Sequence, residues 1–486
     1  MPLILPARTL DSGFNIDNSL RFNDGDSPSL GRIPSSASNK RTWTWSAWVK
    51  ISTGTAHDHT FFSGGTGLGA SGNRVVFCIL SGESEKVMVF SGNTSQFALK
   101  TSASLRDKSA FYHFVLAMDT TQSTESNRFK MYINGSQVTD TAQLTYPSQN
   151  LELGVNTDQQ HYIGFRSASN DTPFDGYMAD VNFADGTQYA ASDFGEYNDN
   201  GVWIPKEPNI TYGTNGYRLE FKQTGTSANS SGIGADTSGN DNHFAVNNLA
   251  ATDVTVDTPT NNWCTYNFLA TPESLAQYGT FSEGNTTYTG HSNNSYGSSA
   301  VGTFGVSKGK WYWENKITTT YGNGIGTGIR DIAEWNPDWA NDSTFNHTDA
   351  GGDGGYSLNY KRGKPQHDNA ETTTNQTNEV LQNDIVMHAM DLDNGALYYG
   401  INGTWQASCD PTSGASKTNA QHSFTVAGVY SPAAYSYGSA VHSTNFGNPP
   451  FAISSGNSDS AGLGNFEYTV PSGYYSLCTK NLAEYG

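Results

Sequence analysis

The chain has 486 residues. At about 150 residues per domain this corresponds to three domains, or to two if they are all-β units of roughly 200–250 residues. The net charge is −19 with charged residues at only 15%, and no basic stripe is present to neutralise phosphates, which excludes a nucleic-acid partner and disfavours anionic lipid surfaces. Gly (52), Ser, Thr and Asn replace the missing charges, and aromatics reach 12%. Gly and Asn tolerate positive φ while Thr, Tyr, Phe and Trp fill pleated surfaces, so the composition predicts many strands joined by turns. Cys78, Cys264, Cys409 and Cys478 form no CxxC pair and are read as free buried thiols. The first residues, MPLILPARTLDSG, lack a basic region ahead of their apolar run, so no secretory signal is expected. No stretch approaches 18 apolar residues, so no membrane insertion is expected either.

In chain order, TWTWSAWV (42–49) puts Trp43, Trp45, Ala47 and Val49 on one face and Thr44, Ser46 and Trp48 on the other. His57-Asp58-His59 would set two imidazoles on one face if extended, as metal ligands require, with a partly exposed loop as the plainer reading. GLGASG (67–72) matches GxGxxG but leads into the strand RVVFCIL, not the helix a dinucleotide loop needs. GESEK (82–86) places Glu83 and Glu85 on one face, with Gly82 and Ser84 marking a turn. RFKMYI (128–133) alternates, and YINGSQV (132–138) supplies an Asn-Gly hairpin signal, as does YYGINGTW (398–405).

Residues 207–262 lose long alternation and read as an ordered connector with two short strands, YRLEF and HFAV. PESLAQYG (272–279) and TNEVLQ (377–382) are the short helices expected. GVSKG (305–309) has the GxSxG form but runs into the strand KWYWENKI (310–317), so Ser307 is a turn residue and not a nucleophile. In that strand Trp311 and Trp313 share a face opposite Tyr312 and Glu314. The expected fold class is all-β: two antiparallel β-sandwiches, residues 1–206 and 263–486, joined by the 207–262 connector.

TWTWSAWVKI, FYHFVLAMDTT (111–121), RFKMYINGSQV and YIGFRSASNDTPFDGYMADVNFADGTQY (162–189), with Gly164, Gly176 and Asp180, occur in an order that resembles the laminin-G-like, concanavalin A-like lectin/glucanase sandwich. SKGKWYWENKI, GNGIGTGIRD, GGYSLNYKRGK, NDIVMHAMDLDNGALYYGINGTW and NFGNPPF (445–451) resemble a SPRY (B30.2-type) sandwich. The tandem, with DTSGNDNHF (236–244), is similar to virion proteins of bacterial viruses, marine ones in particular. That resemblance implies a tail-fibre, appendage or capsid-decoration protein that is made in the host cytoplasm and adheres to host-surface glycan. Other virion proteins would be its partners, and it would form a homo-oligomer, a trimer among the options. An architectural component without a host ligand and a polysaccharide depolymerase are the alternatives.

Glucanases on this sandwich carry paired carboxylates on one strand as ExDxxE. None occurs here, so no enzyme is expected. Calcium is left open by family resemblance: NDTPFD (170–175) and DAGGDGG (349–355) are oxygen-rich but lack the EF-hand register. The candidate ligand-binding residues lie in IAEWNPDWANDSTFNHTDAGGDGGY (332–356), a loop region where SPRY domains bind partners. There Trp335 and Trp339 flank Asn336 and Asp338, and aromatic platforms beside amide and carboxylate groups suit sugars. The competing reading is that both rings cover the end of the sandwich.

Overall fold

Alternating apolar residues become paired strands wherever a second sheet can cover them. The computed structural model describes residues 13–52, 58–67, 72–83, 85–92, 94–167, 172–270, 279–291, 297–319, 325–334, 355–367 and 370–486. Regular structure is almost entirely β, and neighbouring strands pair antiparallel apart from a two-residue parallel contact between Tyr475–Ser476 and Lys310–Thr319. Two compact units result, Leu10–Thr260 and Asn261–Gly486.

In the first unit one sheet runs, edge to edge, Ser136–Gln137, Phe129–Ile133, Tyr112–Asp119, Thr42–Ile51, Gly176–Asp185, Ser19–Phe22, Val254–Thr255, with Tyr217–Leu219 also pairing with Gly176–Asp185. The second sheet runs Thr141–Thr145, Phe97–Ser104, Lys86–Ser91, Val75–Ile79, His59–Gly64, His161–Ile163, Ser29–Arg32, Ala245–Asn247. Trp43, Trp45, Ala47 and Val49 lie in the core between them, as the alternation predicts. The Trp45 ring sits 5.9 Å from Phe62 and 5.5 Å from Phe77 across the sandwich. The opposite face is buried too: Thr44 Oγ1 donates to the Thr187 carbonyl and accepts the Tyr189 N–H, and Trp48 stacks on His113 at 4.7 Å.

The expected connector is instead part of this first sandwich. Tyr217–Leu219, Ala245–Asn247 and Val254–Thr255 pair with Gly176–Asp185, Ser29–Arg32 and Ser19–Phe22 respectively, and Phe221, Ile233, Phe244 and Leu249 enter its core. Between these strands, side chains do the work of ladder bonds. Asp236 accepts the N–H groups of Arg218 (2.9 Å), Ser238 (2.8 Å) and Asn242 (2.9 Å). Asn240 and Asn242 donate their amides to the carbonyls of Gly213, Thr214 and Gly216. The Gly, Ser and Asn content that looks like a linker is therefore a loop knit by Asp and Asn side chains.

The second unit has one sheet ordered Thr280–Ser282, Thr287–Thr289, Val441–Asn445, Lys310–Thr319, Ile385–Asp391, Ala396–Ile401, Thr404–Trp405. Its other sheet is ordered Gly297–Val301, Tyr430–Tyr437, Ile325–Asp331, Gly355–Asn359, Lys364–His367, Ala370–Glu371. Trp311 and Trp313 face the core with Ile329, Leu358, Val386 and Tyr399. Tyr312 and Glu314 point the other way and are also fully buried. TNEVLQ is not a helix: it has no regular structure, its Thr377 and Val380 N–H groups bonded to the carbonyls of Gly363 and Tyr360. PESLAQYG lies outside the described residues except for Gly279. A helix that periodicity did not signal, Thr479–Tyr485, ends the chain with Leu482 in the core.

A buried ion pair ties the end of strand Thr42–Ile51 to the last residues of the first unit: Lys50 Nζ lies 2.8 Å from Asp257 Oδ2, both side chains at most 2% exposed. Removing one partner of a buried pair takes away the charge that balances the other, which costs roughly 3–5 kcal/mol, whereas replacing both by apolar groups is close to neutral. Urea unfolding of Asp257→Ala is therefore expected to show a loss of that size, largely recovered in Lys50→Met/Asp257→Leu. Equal stability of Asp257→Ala and wild type would refute the assignment.

Candidate functional site

Trp335, Asn336, Asp338 and Trp339 lie outside the described residues, as do His57, GLGASG apart from its ends, and nearly all of DAGGDGG. Asp58 is committed to Arg166 Nη2 at 2.8 Å and to Ser81, and His59 is buried edge-on to Phe174. Among the described residues no group of three or more His, Cys, Asp and Glu is placed to hold a metal ion. Glu83 pairs with Lys100 at 2.8 Å and Glu85 with Lys108, so the two carboxylates serve different lysines. Ser307 is an exposed turn residue ahead of Lys310–Thr319. All four cysteines are buried and free, and burial pushes the thiols of Cys78 and Cys409 up to about 12 and that of Cys478 to about 11, so they stay protonated.

The site that assembles in the first sandwich starts from the Asn134-Gly135 turn. Asn134 (φ 47°) and Gly135 (φ 79°) adopt the left-handed turn that Asn-Gly predicts. The Asn134 side chain then docks the turn onto the neighbouring strand by accepting the His113 N–H at 2.7 Å. Gly135 has no Cβ, and one built there would collide with the ring of Trp203; Gly195 meets the same ring from Gly195–Tyr197. Trp203 comes from a two-stranded ribbon, Gly195–Tyr197 paired with Trp203–Pro205, closed by Asn198, whose Oδ1 accepts the N–H groups of Asn200 and Val202. Sequence reasoning did not single out this ribbon, although Asn200-Gly201 is a hairpin signal of the same kind.

The indole is held from behind. Trp203 Nε1–H donates to His113 Nδ1 at 3.1 Å, and His113 Nε2 lies 2.9 Å from Ser46 Oγ. An indole nitrogen only donates, so Nδ1 must be the acceptor and Nε2 carries the proton toward Ser46. Full burial depresses the His113 pKa to about 3, which keeps this tautomer neutral. Tyr197 stands edge-on to Trp203 at 4.9 Å, its hydroxyl bonded to the Asn134 carbonyl at 3.1 Å, and it is 54% exposed. With Tyr132, Ser192, Glu196 and Lys206 these rings line an open cavity of about 350 Å³.

The second sandwich builds a comparable cavity of about 390 Å³ on its own Asn-Gly turn. Asn402 (φ 48°) and Gly403 (φ 82°) repeat the conformation, and Asn402 Oδ1 accepts the Ile385 N–H at 2.9 Å. Here the ring against the glycine is Tyr468, 2.9 Å from where a Cβ would stand. Tyr468 is placed by Glu314, whose carboxylate accepts the N–H groups of Glu467 (2.9 Å) and Tyr468 (2.8 Å) and the hydroxyl of Tyr312 (2.9 Å). Burial raises the Glu314 pKa and these donors oppose the rise. Trp405, Met387, Asp410, Thr412 and Thr469 also line it.

Residues 25–191 match the Laminin_G_3 family, described as the concanavalin A-like lectin/glucanases superfamily. No curated protein sequence matches the chain. Among solved structures, the SPRY domain of human HERC1 is similar at 16% identity and a TM-score of 0.26, over 32% of this chain and 86% of that one. Domain 4 of AbnA, an extracellular arabinanase from Geobacillus stearothermophilus solved with arabinotriose, is similar at 19% identity and a TM-score of 0.24, over 32% and 67%. Tailspike protein 2 of an Escherichia coli O157:H7 bacteriophage is similar at 14% identity and a TM-score of 0.28, over 40% and 25%. Likeness at this level does not extend to ligand, partner or activity.

The neutral His113 behind Trp203 has a measurable consequence. In the unfolded chain the imidazole titrates near 6.5, whereas folded it stays unprotonated down to about pH 3. Below pH 6.5 the unfolded state therefore binds a proton that the folded state does not, and stability declines by about 1.4 kcal/mol per pH unit from this group alone. Above pH 6.5 the contribution is flat. Denaturant unfolding of the first sandwich between pH 7 and 4 is expected to show a shallower acid decline in His113→Gln than in wild type; parallel slopes would contradict the buried neutral imidazole.

Proposed function

We propose that the protein binds carbohydrate at the Trp203 cavity and serves as a non-catalytic, adhesive structural component of a bacterial virus particle, as a tail fibre, appendage or capsid decoration. The observation that carries the reading is the Trp203–Tyr197 pair: an aromatic corner of exposed Tyr197 and half-buried Trp203, held by His113 and the Asn134 turn. It belongs to the sandwich whose residues 25–191 match the lectin/glucanase superfamily. Sugar rings have apolar faces for such rings and polar edges for groups such as Ser192, Glu196 and Lys206 at the rim. A site whose aromatic walls are fixed before the ligand arrives loses little entropy on binding.

The virion setting rests on the resemblance of the tandem and of DTSGNDNHF to virion proteins. A homo-oligomer carried in many copies would convert weak single contacts into firm adhesion. The non-catalytic reading is supported by the use to which buried carboxylates are put: Asp180 holds Arg218 at 2.7 Å, Asp257 holds Lys50, Glu314 holds backbone, and Asp391 caps its own turn through Asn394. None of these is a solvent-facing acid–base pair.

The test is binding of the purified full-length chain to a glycan array and to host-envelope polysaccharide, with and without a calcium chelator. Trp203→Ala is expected to weaken binding at least about tenfold, or about 1.4 kcal/mol. Loss of binding in Trp335→Ala/Trp339→Ala with Trp203→Ala unaffected would move the site to the 332–356 loop. Reducing-end release from the polymer would replace the adhesin with a depolymerase. Absence of any glycan binding would favour the architectural role.

A further inference from the structure

The Trp405 cavity is separate in sequence and construction from the Trp203 cavity, and its chemistry differs in one respect. At the first, Lys206 and Glu196 supply both charges. At the second, the lining holds one carboxylate, Asp410, and no basic side chain. Its floor is aromatic and apolar, from Trp405, Tyr468 and Met387, and its rim carries the hydroxyls of Thr412 and Thr469. Asp410 Oδ1 accepts the Thr412 N–H at 2.8 Å and the Thr412 hydroxyl at 2.6 Å, which fixes the rim loop. From below, Glu314 fixes Tyr468 through the backbone, and the Asn402 amide, donating to Asp384 Oδ1 at 2.7 Å, braces the Gly403 turn.

We propose that the second sandwich carries its own saccharide site at this cavity, selective for sugars without negative charge, neutral or amino-bearing. Three features point the same way. The volume is that of a small-molecule site and not of an extended peptide groove. Aromatic faces beside hydroxyl and carboxylate rims match the split character of a sugar ring. A carboxylate with no ion-pair partner among the described residues repels uronic or sialic acids and favours an amino sugar, while the chain's net charge of −19 acts in the same direction. The proposal rests on the carbohydrate-binding reading of the protein but assigns it a second site with a different preference.

The experiment uses the full chain on an array of neutral, amino-bearing and acidic glycans, comparing wild type with Trp405→Ala, Trp203→Ala and Asp410→Asn. Asn can keep the turn at 410, so Asp410→Asn removes charge without removing the loop. Expected results are a loss of at least tenfold for neutral or amino-bearing glycans in Trp405→Ala, retained in Trp203→Ala, and a selective loss for amino-bearing glycans in Asp410→Asn. An unchanged melting temperature in Asp410→Asn excludes unfolding as the cause. If all glycan binding vanishes in Trp203→Ala and persists in Trp405→Ala, the second site is overturned while the first stands. If wild type binds acidic glycans alone, the second site is likewise overturned. If wild type binds no glycan, both fall.

Discussion

A polar group buried without a partner costs about 1–3 kcal/mol, and a charged one more. That constraint governs the outer faces of both main sheets. Each sheet is covered on the outside by its own chain, so Ser46 and His113 in one sandwich and Tyr312 and Glu314 in the other are taken out of water. They must be met by donors and acceptors from the covering segments. His113 is met by Trp203, and Glu314 by the backbone at Glu467 and Tyr468. Two of the residues that satisfy the buried groups, Trp203 and Tyr468, also wall the cavities. Aromatic positioning at the surface is thus a by-product of polar satisfaction beneath it.

Much of this architecture is legible in residue order. The alternation of TWTWSAWV and KWYWENKI states which side chains face the core, and both Asn-Gly pairs turn where they should. Alternation does not reveal that the polar faces are also buried, because Thr44, Ser46 and Glu314 read as solvent-facing until something covers them. The 207–262 segment misleads for a related reason. YRLEF and HFAV are legible as short strands, but three residues such as Tyr217–Leu219 carry too little pattern to show which sheet they join, and Asp236, Asn240 and Asn242 bond across turns in a way that composition alone renders as a connector. The Trp203 cavity was hidden because its parts, Gly135, His113 and Trp203, are up to 90 residues apart and meet only in the fold.

Rigidity beneath the second cavity has a further source in the sandwich interior. His388 Nε2 and the Tyr360 hydroxyl both bond to Thr327 Oγ1, joining strand Ile385–Asp391 of one sheet to Ile325–Asp331 of the other. Tyr360 continues to Asn315 at 3.4 Å, and Asn315 to His442 at 3.2 Å and Thr444 at 2.6 Å. Hydrogen bonds are directional where apolar contacts are not, so a chain of this kind selects one register between two sheets that could otherwise slide. Burial depresses the His388 pKa to about 3 and that of His442 to about 4, so both rings stay neutral and the chain stays intact at neutral pH. Ile385–Asp391 also carries Met387 into the cavity floor and receives the Asn402 turn, so the interior network and the surface site share a strand. Displacing the sheets by one residue would break the network and move the floor of the cavity together, which makes the geometry of the site a property of the core beneath it.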